Sequence, residues 1–172
     1  MDIINSIISG VIAGVIASAA FIFYLSRNKP ALKLSKFIAR RTKNGQKEFI
    51  FKIANTLPRS CINVKVNAAI VKATNVEGGV NNCHENLNLV NSYLFRLSRY
   101  DKQDLQGYYA WRFVTTADLD DIWNSEEDTI EFQVMATDSY TGFSKVFSQI
   151  FRLKRNSIKD GAHKFGLEMD VT

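Results

Sequence analysis

The sequence is poor in cysteine and histidine, and this scarcity removes several classes of site. Only Cys61, Cys83, His84 and His163 occur among 172 residues. A structural zinc site needs four closely held ligands, and no C-x-x-C pair is present, so we exclude zinc. The two cysteines allow a Cys61–Cys83 disulfide, but they are equally compatible with a reducing compartment.

The chain also lacks the short motifs that mark common catalytic and binding sites. There is no G-x-S-x-G nucleophile elbow and no glycine-rich phosphate loop. Asp118, Asp120 and Asp121 stand close together, but the glycine and later glutamate of a calcium loop are missing. We therefore predict no catalytic residue, no metal and no cofactor, and we expect the protein not to be an enzyme.

Charge is absent from the N-terminal segment. Ile3 to Leu25 is 23 residues without Asp, Glu, Lys or Arg, and a helix needs roughly 20 to cross the hydrocarbon core. A cleaved signal peptide is the alternative, but its apolar region is about 7–15 residues long and follows basic residues. The opening MDIIN contains neither lysine nor arginine. We therefore predict a retained transmembrane helix within residues 1–29 and a soluble domain over residues 30–172.

Small residues recur at every fourth position of this segment. They are Ser6, Gly10, Gly14 and Ser18, which a helix places on one face. In lipid, helices associate by close backbone approach, because burial of apolar area brings no gain there. The row predicts association of the helix with copies of itself or with another helix. The alternative is that small residues are simply common in membrane helices.

Basic residues follow the apolar segment but do not precede it. They are Arg27, Lys29, Lys33, Lys36, Arg40, Arg41 and Lys43. Because positive charge stays in the cytoplasm, we expect the N-terminus outside and the domain inside the cell (inner) membrane. The same residues are candidates for contact with anionic lipid, at about 1 kcal/mol each. The alternative is that they only set the topology.

Charge is unevenly distributed over the soluble domain. Residues 30–60 are mainly basic, whereas residues 101–138 are mainly acidic. Such a dipolar domain is expected to orient at a charged surface or to pair with copies of itself. Nucleic acid is not expected as a partner, because the basic residues lie beside the membrane segment and the remote region is acidic.

After Pro30 the hydrophobic pattern becomes alternating. Seven runs rich in β-branched and aromatic residues, such as TIEFQVMAT, are separated by turn signals such as Asn44-Gly45. Alternation indicates half-buried strands, and seven of them predict a mainly β, antiparallel β-sandwich. A short helix is expected over residues 115–123, capped by Thr115 or Thr116. Trp111 and Trp123 are expected to pack in the core or on a sheet.

Residues 35–74 carry a series of motifs similar to F-S-x-x-A-V, G-K, F-R-x-x-N-x-R and x-x-V-x-A-x-L. The matching residues are Phe37, Arg40, Arg41, Gly45, Gln46, Phe51, Lys52, Asn55, Arg59, Val64, Val66, Ala68 and Ile70. This series resembles the start of the cytoplasmic domain of inward-rectifier potassium channels, and a weaker likeness continues to Val171. The resemblance implies an immunoglobulin-like sandwich that lies under the membrane and assembles side by side. One helix and no T-x-G-Y-G filter are present, so potassium selectivity is not implied.

The sequence thus predicts a non-enzymatic single-pass membrane protein whose cytoplasmic sandwich is a binding or assembly module. The expected partners are the membrane, further copies in a homo-oligomer, and an anionic lipid or a protein. The alternative is an oligomerising effector that perturbs the bilayer, or a channel-like or regulatory subunit.

Overall fold

A long N-terminal helix is followed by ten strands and two one-turn helices in residues 2–172, which the computed structural model describes. The helices are α1 (Asp2–Arg27), α2 (Leu119–Ile122) and α3 (Lys154–Ser157). The strands are β1 (Leu32–Leu34), β2 (Ile38–Lys43), β3 (Gln46–Asn55), β4 (Cys61–Val76), β5 (Gly79–Asn86), β6 (Tyr93–Leu97), β7 (Ala110–Thr115), β8 (Thr129–Asp138), β9 (Ser144–Phe151) and β10 (Ile158–Asp160). The predicted mainly β fold with one N-terminal helix is confirmed.

The strands form two sheets that pack as a sandwich. The first has the order β1-β3-β2-β10, with β7 on β3, and the second has the order β5-β4-β8-β9, with β6 on β4. All of these pairs are antiparallel except β10 with β2, which is parallel. The antiparallel sandwich expected from the alternating runs is therefore present.

The core lies between the sheets and is built from the alternating residues. Ile130, Phe132 and Val134 of β8 are buried, whereas Gln133 between them is exposed. Phe132 stacks on Phe51 of the opposite sheet, with ring centroids 4.7 Å apart. Burial of such aromatic and branched side chains is the main free-energy gain that holds two sheets together.

The β2–β3 hairpin turns through Asn44 and Gly45, as the sequence indicated. Lys43 pairs with Gln46, and both turn residues have positive φ angles of 51° and 77°. Two-residue hairpins favour this left-handed geometry because it matches the twist of the flanking strands. The turn therefore fixes the register of the first sheet.

Strand β5 was not among the seven predicted runs. Its sequence GVNNCHEN is polar and every residue is exposed. β4 pairs with β8 only as far as Val71, while the β4–β5 hairpin continues to Val76 and Gly79. The end of this hairpin is a two-stranded ribbon that extends beyond the sandwich, so it needs no apolar face.

One local expectation, the cap of the short helix, was wrong. Helix α2 is capped by Asp118, whose carboxylate accepts from the backbone N–H of Asp120, and not by Thr115 or Thr116. Trp123 is buried, but Trp111 is 40 % exposed on β7. The possible disulfide is not formed, because the two cysteines are free, Cys61 in the core and Cys83 on the exposed ribbon strand.

The sandwich has a helix-proximal end and a distal end. The first β-bridge after α1 joins β1 to the end of β3, and the backbone N–H of Thr56 donates to Ala31 O. Loops that meet here define the helix-proximal end, residues 55–60, 98–109 and 138–143. The β2–β3 hairpin and α2 lie at the distal end. This polarity decides which side chains are close to the apolar helix.

Candidate membrane-association site

Helix α1 is long and apolar enough to cross a membrane. Its 26 residues extend about 39 Å at 1.5 Å per residue, against a hydrocarbon core of about 30 Å. Every side chain from Ile3 to Tyr24 is exposed. An apolar surface of this length is unfavourable in water, so the helix requires a non-aqueous environment or a covering partner.

The predicted row of small residues lies on this exposed helix. Gly10 and Gly14 have open space around them, since a Cβ atom added at either position meets nothing within 4 Å. Successive members, Ser6 to Ser18, are offset by about 40° around a helix with 3.6 residues per turn. The row is therefore a shallow, slowly turning groove that another helix can approach closely.

Asn28 joins the last turn of α1 to the sandwich. Its side chain donates to Tyr24 O at 2.8 Å and accepts from Arg59 Nη1 at 2.6 Å. Its backbone oxygen accepts from Thr141 Oγ1 at 3.2 Å. Pro30, two residues later, is buried. The connection between helix and sandwich is therefore held by side-chain hydrogen bonds and by packing.

Asp138 supports this junction from inside the sandwich. Its carboxylate is 1 % exposed and accepts from Arg59 Nε at 3.1 Å. It also accepts from the backbone N–H groups of Tyr140 and Thr141, at 3.0 and 2.9 Å. A buried carboxylate is tolerated when a cation and several donors satisfy it in this way. Arg59 is therefore held between Asp138 and Asn28.

Sequence reasoning did not identify this junction. Asp138 and Thr141 were visible only as part of the turn before Gly142, and Arg59 only as one member of a motif series. The turn signal in DSYTG was the available hint, because an aspartate that caps its own loop is common there. No local sequence pattern indicates that Asp138 pairs with Arg59, which lies 79 positions away in the chain.

The predicted basic residues fall into two groups in the structure. Arg27, Lys29, Lys33 and Lys36 are exposed and are the basic residues nearest to the end of α1 along the chain. The Arg27 guanidinium is 5.1 Å from the centre of the Phe23 ring. Lys33 Nζ donates to a backbone oxygen of the C-terminal residues at 3.2 Å. These four are available at the helix-proximal side.

The second group, Arg40, Arg41 and Lys43, lies toward the distal end. Arg40 is opposite Phe49, six residues along β3 from Asn55, which corresponds to about 20 Å at 3.3 Å per residue. Lys43 is opposite Gln46, at about 30 Å from Asn55 by the same measure. The fold thus separates these three from the junction.

Both arginines of the second group form ion pairs with carboxylates. Arg40 binds Asp160 at 2.6 Å and Asp120 at 2.9 Å, and both carboxylates hold the pKa of Arg40 above its ordinary value. Arg41 Nε binds Glu48 at 2.7 Å. These groups already have charge partners within the sandwich.

The basic and acidic stretches of the sequence therefore meet in the fold. Among the described residues, four ion pairs join residues 30–60 to residues 101–138, and they are Arg40–Asp120, Lys47–Asp118, Lys47–Asp120 and Arg59–Asp138. Charges that pair at about 3 Å largely cancel at longer range. The dipolar separation suggested by the sequence is reduced accordingly.

Buried titratable groups fasten the C-terminal residues 162–172 to the first sheet. Lys52 Nζ donates to Lys164 O and Glu168 O, both at 2.6 Å. Burial, with a contribution from Arg112, lowers the pKa of Lys52 to about 8. His163 Nε2 is 3.1 Å from Ile50 O, and burial lowers its pKa as well. These groups serve the packing of the sandwich.

Within the described residues, no group of three or more His, Cys, Asp or Glu side chains is arranged to hold a metal ion. No family model matches the chain, and no match is found among curated proteins. The likeness to the inward-rectifier cytoplasmic domain therefore stays a prediction, and the site is interpreted from its own geometry.

Proposed function

We propose that the protein is a non-enzymatic, single-pass membrane protein whose β-sandwich is a binding or assembly module at the membrane. The observation that carries this proposal is the exposed apolar helix α1, which joins the sandwich only through its last turn and the residues just after it. A helix of this length and composition gains stability by crossing a bilayer. The sandwich then lies directly beneath the membrane.

The orientation follows from the basic residues next to the helix. Arg27 and Lys29 flank its C-terminal end, with Lys33 and Lys36 a few residues further. The positive-inside rule places this end, and the sandwich with it, on the cytoplasmic side of the inner membrane. Anionic headgroups are the natural partners of these four exposed cations.

Self-association through α1 is the second part of the proposal. The Gly10–Gly14 groove gives the close approach that lipid-embedded helices require. We expect the full-length protein to form homo-oligomers in a bilayer through this face. The sandwiches, each fixed to its helix by Asn28 and Arg59, are brought together at the same time.

The test is the native mass of the full-length protein in lipid nanodiscs, with Gly14→Leu as the disrupting variant. Leucine fills the groove, so we expect the mass to fall toward that of the monomer. Ile12→Phe enlarges a side chain about 200° around the helix, away from the groove, and is the control. A wild-type monomer, or equal masses for wild type and Gly14→Leu, would contradict self-association through this face.

A second candidate function is an oligomeric effector that perturbs the bilayer or a channel-like subunit. The clamped junction favours it, because a rotation of the sandwich is transmitted to α1 through Asn28. Dye leakage from vesicles containing the protein separates the two functions. Leakage that is lost in Gly14→Leu supports the effector, and intact vesicles around a wild-type oligomer support the binding module.

A further inference from the structure

Tyr140 is an exposed aromatic residue at the end of the sandwich to which α1 is joined. It is 78 % exposed. Its neighbour Thr141 donates to the backbone oxygen of Asn28, the first residue after the last turn of α1. An aromatic ring next to this contact lies at the depth of the lipid headgroups when α1 spans the membrane.

Leu105 is a second exposed apolar residue at the same end. It is 90 % exposed in the loop 98–109. Asn55 holds both ends of this loop, since its side chain donates to Ser98 O and its backbone N–H donates to Tyr109 O. Asn55 also pairs with Leu32 of β1, the first strand after α1. Both ends of the loop therefore lie beside the start of the sandwich.

The loop is held in shape by its own acidic residues. The Asp104 carboxylate accepts from the backbone N–H groups of residues 106–108, at 2.8 to 3.1 Å. Asp101 accepts from Gln103 N at 2.9 Å. Both carboxylates are therefore engaged by backbone donors. Leu105 is thus presented on an ordered turn.

Cations of the same loop remain exposed. Lys102 is exposed, and Arg99 is 67 % exposed with only a long contact of 4.0 Å to Asp101. Lys29 lies between α1 and the sandwich and is exposed too. Arg99 and Lys102 balance the charges of Asp101 and Asp104 in this loop, and Lys29 adds a further positive charge nearby. The end of the sandwich next to α1 therefore combines exposed apolar tips with exposed cations, the kinds of side chain that bind a lipid surface.

We propose that the helix-proximal end of the sandwich docks on the headgroup layer of the membrane that α1 crosses. Tyr140 and Leu105 enter the interface, and Arg99 and Lys102 contact headgroup phosphates. Tyrosine favours this level because its ring is apolar and its hydroxyl is polar. The inference rests on the proposed membrane anchoring. Lipid is the occupant because Asn28, hydrogen-bonded to this end, directly follows a membrane-spanning helix.

The test measures the depth of single fluorescent labels in the full-length protein. An environment-sensitive dye is attached to Leu105→Cys or Tyr140→Cys in a Cys83→Ser background, in which Cys61 is buried. The protein is reconstituted in vesicles of phosphatidylcholine and phosphatidylglycerol that carry spin-labelled lipids. Val80→Cys, at a position 65 % exposed on the distal ribbon, is the matched control. Val15→Cys, in the middle of α1, reports the anchor itself.

We expect blue-shifted emission and severalfold stronger lipid quenching at positions 105 and 140 than at position 80. Strong quenching at position 15, together with equally weak quenching at positions 105, 140 and 80, would overturn the docking but would leave the anchoring by α1 intact. Absence of quenching at 15 overturns both. A blue shift at 105 and 140 without lipid quenching also overturns the docking, because protein then covers this end.

Discussion

Lys52 makes the stability of the sandwich rise with pH above neutrality. Its side chain is fully buried and is held by two backbone oxygens, Lys164 O and Glu168 O. Burial lowers the pKa of Lys52 from an ordinary 10.5 to about 8. Below pH 8 the folded protein therefore contains a buried ammonium group, whose desolvation opposes folding.

Proton linkage gives the direction and the size of the change in unfolding free energy that Lys52 causes. Between pH 8 and 10.5 the unfolded chain keeps a proton that the folded protein has released, so the free energy of unfolding rises with pH. The full shift corresponds to about 3 kcal/mol, of which on the order of 1 kcal/mol falls between pH 7 and pH 9.

Two other groups limit the useful pH window. Burial, reinforced by Asp138, raises the pKa of the Cys61 thiol to about 11, so this group reduces stability as pH rises above 9. This loss begins just below pH 9, where it is still smaller than the gain from Lys52. Burial lowers the pKa of His163, so the folded protein also becomes more stable as pH rises through the range where this histidine loses its proton. That increase is nearly complete by pH 7. The net expected rise between pH 7 and pH 9 is therefore on the order of 1 kcal/mol.

The assay is denaturant unfolding of the full-length protein in detergent micelles, followed by the fluorescence of buried Trp123. Lys52→Met keeps the length of the side chain and removes the titrating amine, so the rise between pH 7 and 9 should disappear. Lys36→Met, at an exposed position, should retain it. A flat wild-type profile, or a rise that persists in Lys52→Met, would show that Lys52 does not cause the pH dependence.

Two further predictions concern the junction and the C-terminal residues. Arg59→Ala removes the bonds to Asp138 and Asn28 and should lower stability by about 2 kcal/mol in thermal unfolding. Arg96→Ala, whose partner is the Ser60 hydroxyl, should cost less, and equal losses would contradict the role of the junction. Gly161→Ala places a Cβ against the Thr172 carbonyl at φ 124° and should speed amide exchange in residues 162–172. Gly142→Ala, with positive φ but open surroundings, is the control for backbone strain alone.

Local sequence patterns predicted the parts of the fold that depend on neighbours in the chain. The alternation in TIEFQVMAT became β8, with Ile130, Phe132 and Val134 buried. The Asn44-Gly45 signal became a hairpin with positive φ at both positions. In these cases a single rule of side-chain period or turn geometry determines the outcome.

The parts that depend on distant residues were not predictable in this way. Strand β5 lacks an apolar face because it pairs in a ribbon beyond the core, and no period-2 pattern marks it. Asp118 caps α2, although Thr115 is an equally good cap by type, because the helix begins at Leu119 and the Thr115 hydroxyl oxygen accepts from Ala117 N instead. Likewise, the sequence made Arg40 a candidate for contact with lipid, whereas the fold places Asp120 and Asp160 beside it.

The exposed edge of β5 has a consequence for aggregation. The strand contains neither lysine nor proline, which commonly protect free edges from pairing with other chains. Two identical edges combine most readily as antiparallel strands, which requires the two molecules to point in opposite directions. Under the proposed anchoring by α1, copies in one bilayer would all point the same way. Tethering to a common surface thus insulates this edge from self-pairing, and release from the membrane would remove that protection.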